Sequence, residues 1–319
     1  MNEESGGEEG AVSSDDGSAR MLRGIARHEG VLDGPRSPLL KNPDDCGLAY
    51  ENVWFPAQDG VPLEAWYIPR EGSDKLIVVN HPRWFNRYGL PAHREPWRSA
   101  GAATGNDFEV DLLPDYRILH DAGYHVLTYD ERNSGHSGAA NGGVNSGGRF
   151  EARDVLGSLA YVRARPDLKD MTIGLFSRCQ GANASIFAMA EHPGLFQGVR
   201  CMVAAQPLSV GVLLQRVLER LGLSDRLEEL DREIKAVAGF ALADLSPVEA
   251  AKRVTVPTFL YQVHDDALTR PGDVQAVFDN IPADKELHWI HGTTRRWDGY
   301  LYFQREPRRV LDWLAARMG

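Results

Sequence analysis

The residues best suited to chemistry sit in one short stretch, Ile173-Gly174-Leu175-Phe176-Ser177-Arg178-Cys179-Gln180-Gly181-Ala182-Asn183. A strand that turns abruptly into a helix forces its middle residue into a strained backbone geometry. Small neighbours keep strand and helix from colliding. Here Cys179 is the middle residue, with Ser177 and Gly181 as its small flanks. The pattern predicts that the thiol stands above the sheet at a helix N-terminus, where a thiolate nucleophile is stabilised. The N–H of Gln180 is then one oxyanion donor, and Arg178 adds positive potential or a contact to substrate. The stretch departs from G-x-S-x-G at two positions. Two other readings stay open: Cys179 as a buried, inert thiol, and Ser177 as the nucleophile.

The elements needed to position such a turn are present. Short apolar runs over residues 75–80, 124–129, 171–176, 198–205, 257–264 and 286–290 read as buried strands. Residues 48–56 and 61–68 read as two further strands around the turn Gln58-Asp59-Gly60. Helical spacing falls between them, over 112–122, 150–164, 180–191, 271–280 and 307–318. Strands alternating with helices predict a parallel sheet covered on both faces, with its site at the C-terminal strand ends. Residues 213–237 carry Leu, Glu and Arg at amphipathic spacing and predict a helical cap within about 207–250. Such leucines are core packing, a homodimer face or the roof of a pocket. The expected organisation is a disordered acidic tail over 1–20 and one α/β domain over 21–319.

Composition narrows the classes. The 319 residues hold 35 Lys and Arg against 45 Asp and Glu, a formal charge of -10. That argues against nucleic acid or an anionic membrane as partner. The first 20 residues hold Glu3, Glu4, Glu8, Glu9, Asp15 and Asp16 with only Arg20 basic, which is no signal peptide. No run of about 18 apolar residues predicts a membrane span. Cys46, Cys179 and Cys201 lack paired spacing, so neither a disulfide framework, a metal site nor a cofactor is expected, and a cytoplasmic setting is simplest.

The elbow and several flanking blocks resemble the α/β-hydrolase superfamily. Asn80-His81-Pro82 resembles its oxyanion block. Asp130-Glu131-Arg132-Asn133-Ser134-Gly135-His136-Ser137 resembles its D-x-R-x-x-G-x-S loop, and Val263-His264-Asp265-Asp266 its acid-bearing block. The resemblance runs from about Leu48 to the C-terminus and implies a mostly parallel, eight-stranded α/β sheet with helices on both faces. The cysteine is similar to that of the dienelactone hydrolase branch, whose triad is Cys-His-Asp. Longer blocks, including Gly292-Thr293-Thr294-Arg295-Arg296-Trp297-Asp298-Gly299-Tyr300, resemble a bacterial group within the superfamily.

Two departures shape the expected site. Pro82 has no N–H, so the second oxyanion donor falls to Arg83 or Trp84. The superfamily's histidine lies about three residues beyond a glycine. Counting from Gly292 reaches Arg295, and arginine is no base near neutral pH. Asp266 is the expected acid, with Asp265 the near alternative, and Asp266 is expected to pair with Arg295. His81, His136, His264 and His291 fall at strand ends. Of these His291 or His81 is the candidate proton carrier, while His288 reads as a sheet-face residue. Arg83, Arg87, Arg178 and Arg295, with His81 and Trp84, are candidates to line a pocket for a small-molecule substrate, anionic if the arginines converge. Trp84, Tyr88 and Trp97 are pocket aromatics or loop packing.

The residues therefore support two functions. The first is an enzyme acting on an ester, thioester or lactone, or transferring an acyl group, through Cys179. The second is a hydrolase-like scaffold that binds a ligand or acts as a cyclase or lyase, because arginine stands where the base belongs.

Overall fold

The computed structural model describes residues 8–27 and 34–319. Its central sheet takes the strands β1 (Glu51–Pro56), β2 (Pro62–Ile68), β3 (Lys75–Asn80), β6 (His125–Tyr129), β7 (Thr172–Arg178), β8 (Val199–Ala205), β9 (Thr258–Val263) and β10 (Lys285–Ile290). Two short strands, β4 (Gly89–Leu90) and β5 (Val110–Asp111), pair with each other apart from it. The eight strands run in the order β1-β2-β6-β3-β7-β8-β9-β10. The β1–β2 and β2–β6 pairs are antiparallel and the rest parallel.

Alternation along the strands assigns two cores. Leu76, Val78, Leu175, Met202 and Ala204 face helices α4 (Ala152–Ala164), α5 (Gln180–Glu191) and α8 (Pro271–Asn280). Ile77, Val79, Phe176, Cys201 and Val203 face α3 (Leu113–Asp121) and α11 (Pro307–Met318). Because side chains on successive strand residues point to opposite faces, an unbroken apolar run is what a sheet covered on both sides requires. Short helices α2 (Trp97–Ala102), α9 (Arg296–Tyr300) and α10 (Tyr302–Arg305) close the rim on the second face.

Between β8 and β9 the chain carries the cap helices α6 (Val210–Leu221) and α7 (Leu227–Ala238). Leu214 and Leu218 of α6 and Leu230 and Ile234 of α7 are fully buried in a third apolar cluster. That cluster also takes Leu22, Ile25 and Ala26 of helix α1 (Glu8–Arg27). Of the tail expected over 1–20, residues 8–20 lie in this helix, while residues 1–7 lie outside the described ones. The apolar triplet just beyond the acidic stretch packs on the cap and buries this helix against it. Among the described residues no helix is long and apolar enough to cross a membrane.

Candidate active site

Cys179 links β7 to α5 with φ 50° and ψ −111°, a conformation rare for any residue but glycine. Two close approaches hold it there. A Cβ on Gly181 would lie 2.6 Å from Asn80 Cβ and 2.9 Å from the Asn80 carbonyl carbon, so only glycine lets α5 pass β3 this closely. The Cys179 N–H donates to the Ala205 carbonyl at 2.7 Å, tying the turn to β8. Ser177 is fully buried, accepts from Asn80 Nδ2 at 2.6 Å and pairs with Ser185 Oγ at 2.9 Å, so it faces no pocket. Cys179 itself is half-buried. By contrast Cys201 is buried in β8, where burial pushes its thiol up to about 12.

The position opposite Cys179 is built differently from the sequence expectation. Asp266 lies in the loop after β9 and accepts from the Leu268 N–H at 2.8 Å and from Gln262 Nε2 at 3.0 Å. Its basic partner is Arg296, whose Nη1 donates to Asp266 Oδ2 at 2.5 Å with both side chains buried. Arg295 is corrected: its guanidinium reaches outward to Asp298 at 2.7 Å and over the Phe108 ring, and it is about half exposed. Helix α9 begins at Arg296, and this turns two neighbouring arginines to opposite sides. Arg296 also donates from Nη2 to the Gln206 carbonyl and from Nε to Tyr300 Oη at 2.9 Å. The Tyr300 hydroxyl in turn interacts with Cys179. Burial holds the Tyr300 phenol well above its ordinary value, so it stays protonated and donates. The chain Asp266–Arg296–Tyr300–Cys179 thus fills the space between acid and nucleophile without an imidazole.

Gln206 is a member of this network that the sequence reading missed. It follows β8 with φ 55°, receives Arg296 on its carbonyl, and donates from Nε2 to the Arg296 carbonyl at 2.5 Å. Its Gly299 neighbour has no room for a Cβ, which would lie 2.4 Å from the Gln206 side chain.

The histidine candidates lie elsewhere. His81 is fully buried, with Nδ1 donating to the Pro82 carbonyl at 2.7 Å and Nε2 accepting the Glu131 N–H at 2.9 Å. Both nitrogens are used, and burial drives its pKa down to about 4, so it is a neutral strut joining two loops rather than a substrate contact. His291 is exposed, with its ring 5.0 Å from that of His264. His264 pairs with Asp265 at 2.8 Å on the surface, so the near alternative to Asp266 is spent there.

Among the described residues, the charges of Arg83 and Arg296 act on Cys179. Arg178 is completely buried on the opposite side of the turn, donating to Asp115 of α3 and lying over Phe176, so its expected substrate role is corrected. Arg87 is buried against Asp130 at 2.6 Å and Glu64 at 2.7 Å. Arg83 keeps Nε and Nη2 buried without a hydrogen-bond partner, and its charge acts on Cys179. Burial lowers its pKa to about 10, which leaves it a cation at neutral pH. Trp84, at φ 69°, lies beside the Arg83 guanidinium at 5.0 Å, and both line a cleft with Ser37, Ser134 and Asn145. Tyr88 and Trp97 are buried packing residues.

A second missed residue is Glu131. Fully buried at the end of β6, its Oε2 accepts from Gln180 Nε2 at 2.8 Å, while its Oε1 and the Gln180 Oε1 have no partner. Burial, then the Glu151 charge, hold its pKa well above the usual carboxylate range. Its only sequence signal is its place beside Asp130 and Arg132, both of which are consumed by ion pairs. Among the described residues no cluster of His, Cys, Asp and Glu is arranged to hold a metal ion.

Comparisons with known proteins agree with this architecture. No family model matches the chain. Lysophosphatidylserine lipase ABHD12 of Danio rerio is 28% identical over 101 residues, and that of Rattus norvegicus 31% over 111. These matches cover 31% of this chain, which spans about a quarter of those relatives' length. An esterase of Pyrococcus furiosus superposes with a TM-score of 0.66 at 19% identity, covering 90% of this chain and 98% of the other. A dienelactone hydrolase of Anabaena variabilis gives 0.55 at 14% identity, covering 85% and 99%. An acetyl xylan esterase of Paenibacillus gives 0.56 at 14%, covering 98% and 96%. With its strand order, its strained turn and these likenesses, the chain has the fold of the α/β-hydrolase superfamily.

Proposed function

We propose that the protein is an enzyme that cleaves or transfers an acyl group from a small-molecule ester, thioester or lactone, with Cys179 as nucleophile. One observation carries the reading: Cys179 holds a strained backbone with positive φ at the start of α5, where the Tyr300 phenol and the charges of Arg296 and Arg83 act on it. In this reading Cys179 attacks the carbonyl carbon. The Gln180 N–H, free of an intrahelical acceptor at the first helical position, donates to the oxyanion, assisted by Arg83. Arg296 and Tyr300 stabilise sulfur charge before attack and after release. The ABHD12 lipases and the esterase neighbours support ester chemistry, and the three free cysteines suit a cytoplasmic setting.

The test is turnover of a p-nitrophenyl ester and a thioester series by the wild type and Cys179→Ala. Loss of at least about 10³-fold in kcat/KM is expected, the scale on which removing a nucleophile acts. Unchanged turnover in the variant ends the reading. A second reading, a scaffold that binds without hydrolysing, draws on Arg296 standing where a base is expected. Tight binding of ester analogues with no turnover by the wild type favours it.

A further inference from the structure

The cleft beside Arg83 carries two positive charges that no described residue neutralises. Arg83 and Arg36 both line it, and no acidic residue does. Arg83 Nε and Nη2 are buried without a hydrogen-bond partner, while part of the side chain stays exposed on the cleft. No carboxylate pairs with it among the described residues, although Arg87, close by in the chain, takes both Asp130 and Glu64. Arg36 is exposed and donates from Nη1 to the neutral carbonyls of Gly135 at 3.1 Å and Ser137 at 2.6 Å. The chain holds 45 acidic residues against 35 basic ones, so the missing counter-charge is no general shortage of carboxylates. Taking a guanidinium largely out of water without a counter-ion is unfavourable, and an anion in the cleft offsets that cost.

The surroundings hold that arginine in place. Trp84 lies beside its guanidinium at 5.0 Å and has φ 69°. A bulky residue keeps such a backbone only where its neighbours impose it. Gly34 is one of them, since a Cβ there would lie 2.9 Å from the indole. Asn133, also lining the cleft, has φ 64°, and its side chain accepts the Ala140 N–H at 2.8 Å and donates to the Val144 carbonyl at 3.3 Å. Ser134 and Asn145 add neutral hydrogen-bonding side chains to the lining. Phe85 completes it and packs edge-on against Tyr300 with ring centroids 5.3 Å apart, which links the cleft to the candidate active site. We infer that this cleft binds the carboxylate or phosphate head group of a small molecule, with the Arg83 guanidinium as its counter-charge. A guanidinium serves either group through charge-assisted hydrogen bonds from its planar set of donors. This anion differs from the oxyanion of the proposed reaction, which exists only in passing, whereas the Arg83 charge stands uncompensated in the resting protein. Cys179 is not among the residues lining the cleft, so binding here does not depend on the nucleophile.

Isothermal titration of the full chain, in a buffer free of phosphate and carboxylates, reads binding directly, with inorganic phosphate and succinate as separate ligands. Saturable binding of at least one is expected in the wild type, and which one binds tells phosphate from carboxylate. Arg83→Met, which keeps an unbranched apolar stem, is expected to weaken it about tenfold or more, the effect of losing a charge-assisted contact. Arg36→Met, at an exposed position, is expected to weaken it less. Cys179→Ala is expected to bind as the wild type does, so that a failure of the nucleophile reading leaves the site standing. Urea unfolding without added anion separates a ligand-binding arginine from a structural one. Arg83→Met should unfold at the wild-type midpoint or above it, because its removal strands no carboxylate. The proposal is overturned by a lower midpoint in Arg83→Met, by the absence of saturable binding of either anion to the wild type, or by an affinity of Arg83→Met within about twofold of the wild type, which is less than one such contact contributes.

Discussion

Arg295 and Arg296 are chain neighbours in opposite environments, and the difference sets what each contributes. Arg296 is enclosed, with its charge facing the buried Asp266 carboxylate, the Gln206 carbonyl and the Tyr300 hydroxyl. Removing it strands Asp266 without a cation, and breaking a buried pair in this way costs about 3–5 kcal/mol. Arg295 spans an exposed surface to Asp298, where such pairs contribute under about 1 kcal/mol. Urea unfolding of Arg296→Met and Arg295→Met should show this contrast. Similar losses in the two would contradict the assignment of Arg296 to the acid's partner. The same pair shows the limit of reading by spacing. Counting from Gly292 finds an arginine where the base is expected, yet the count cannot say which of two adjacent arginines turns inward, because the start of α9 decides it. Asp266 was legible in the sequence because its block resembles the acid-bearing block of the superfamily, and the structure places it in the loop after β9 against Arg296. Glu131 and Gln206 were not, since their contacts, to Gln180 and to Arg296, join positions far apart in the chain.

At the level of elements, the turn between β7 and α5 depends on what crosses it. Gly181 lets the first turn of α5 lie against Asn80 of β3, and any side chain there meets backbone rather than a movable side-chain tip. Asn80 is itself fixed by Ser177 and by the Tyr129 hydroxyl at 2.6 Å, so it has little freedom to yield. Gly181→Ala should therefore cost about 1–3 kcal/mol, as overpacking a tight core does. It should also slow alkylation of Cys179 by iodoacetamide, because the displaced helix moves the thiol. A variant with wild-type stability and alkylation rate would show that the close approach is not needed. This element was readable in the sequence through two small residues around a cysteine between a strand and a helix. The inner strands were readable for a related reason: burial on both faces leaves runs such as Leu76-Ile77-Val78-Val79 with no polar interruption, whereas β1 and β2 were read from the turn Gln58-Asp59-Gly60 between them. Helix α1 was not, because its acidic, glycine-bearing sequence has little reason to form a helix alone. Its burial comes from Leu22, Ile25 and Ala26 meeting a cap more than 180 residues away in the chain, a contact no local pattern records.

For the whole molecule, pH acts through several buried groups, among them the neutral ring of His81 and, with the opposite sign, the raised carboxyls of Asp115 and Asp154, and through the net charge of -10 spread over the chain. His81 must accept a backbone N–H on Nε2, so protonation there replaces a hydrogen bond with two opposed donors. Its pKa falls from 6.5 unfolded to about 4 folded, chiefly through burial, with Arg87 acting in the same direction. The unfolded chain therefore binds more protons than the folded one between these values. Stability from this group is complete above pH 6.5 and is lost as pH falls toward 4, by roughly 3 kcal/mol in all. The diffuse negative charge works the other way over the same range, since titration toward neutrality relieves self-repulsion. Salt separates the two. At about 1 M ionic strength the screening length is only about 3 Å, so the long-range charge effect is suppressed while a ring enclosed at 0% exposure is not. Urea unfolding in 1 M salt should show the stability of the wild type falling relative to that of His81→Gln from pH 6.5 to 4, because the variant's amide can accept the Glu131 N–H at any pH in that window and the other buried groups are common to both. If the two profiles run parallel in high salt, the acid sensitivity arises elsewhere, and the neutral ring is not what couples folding to protons.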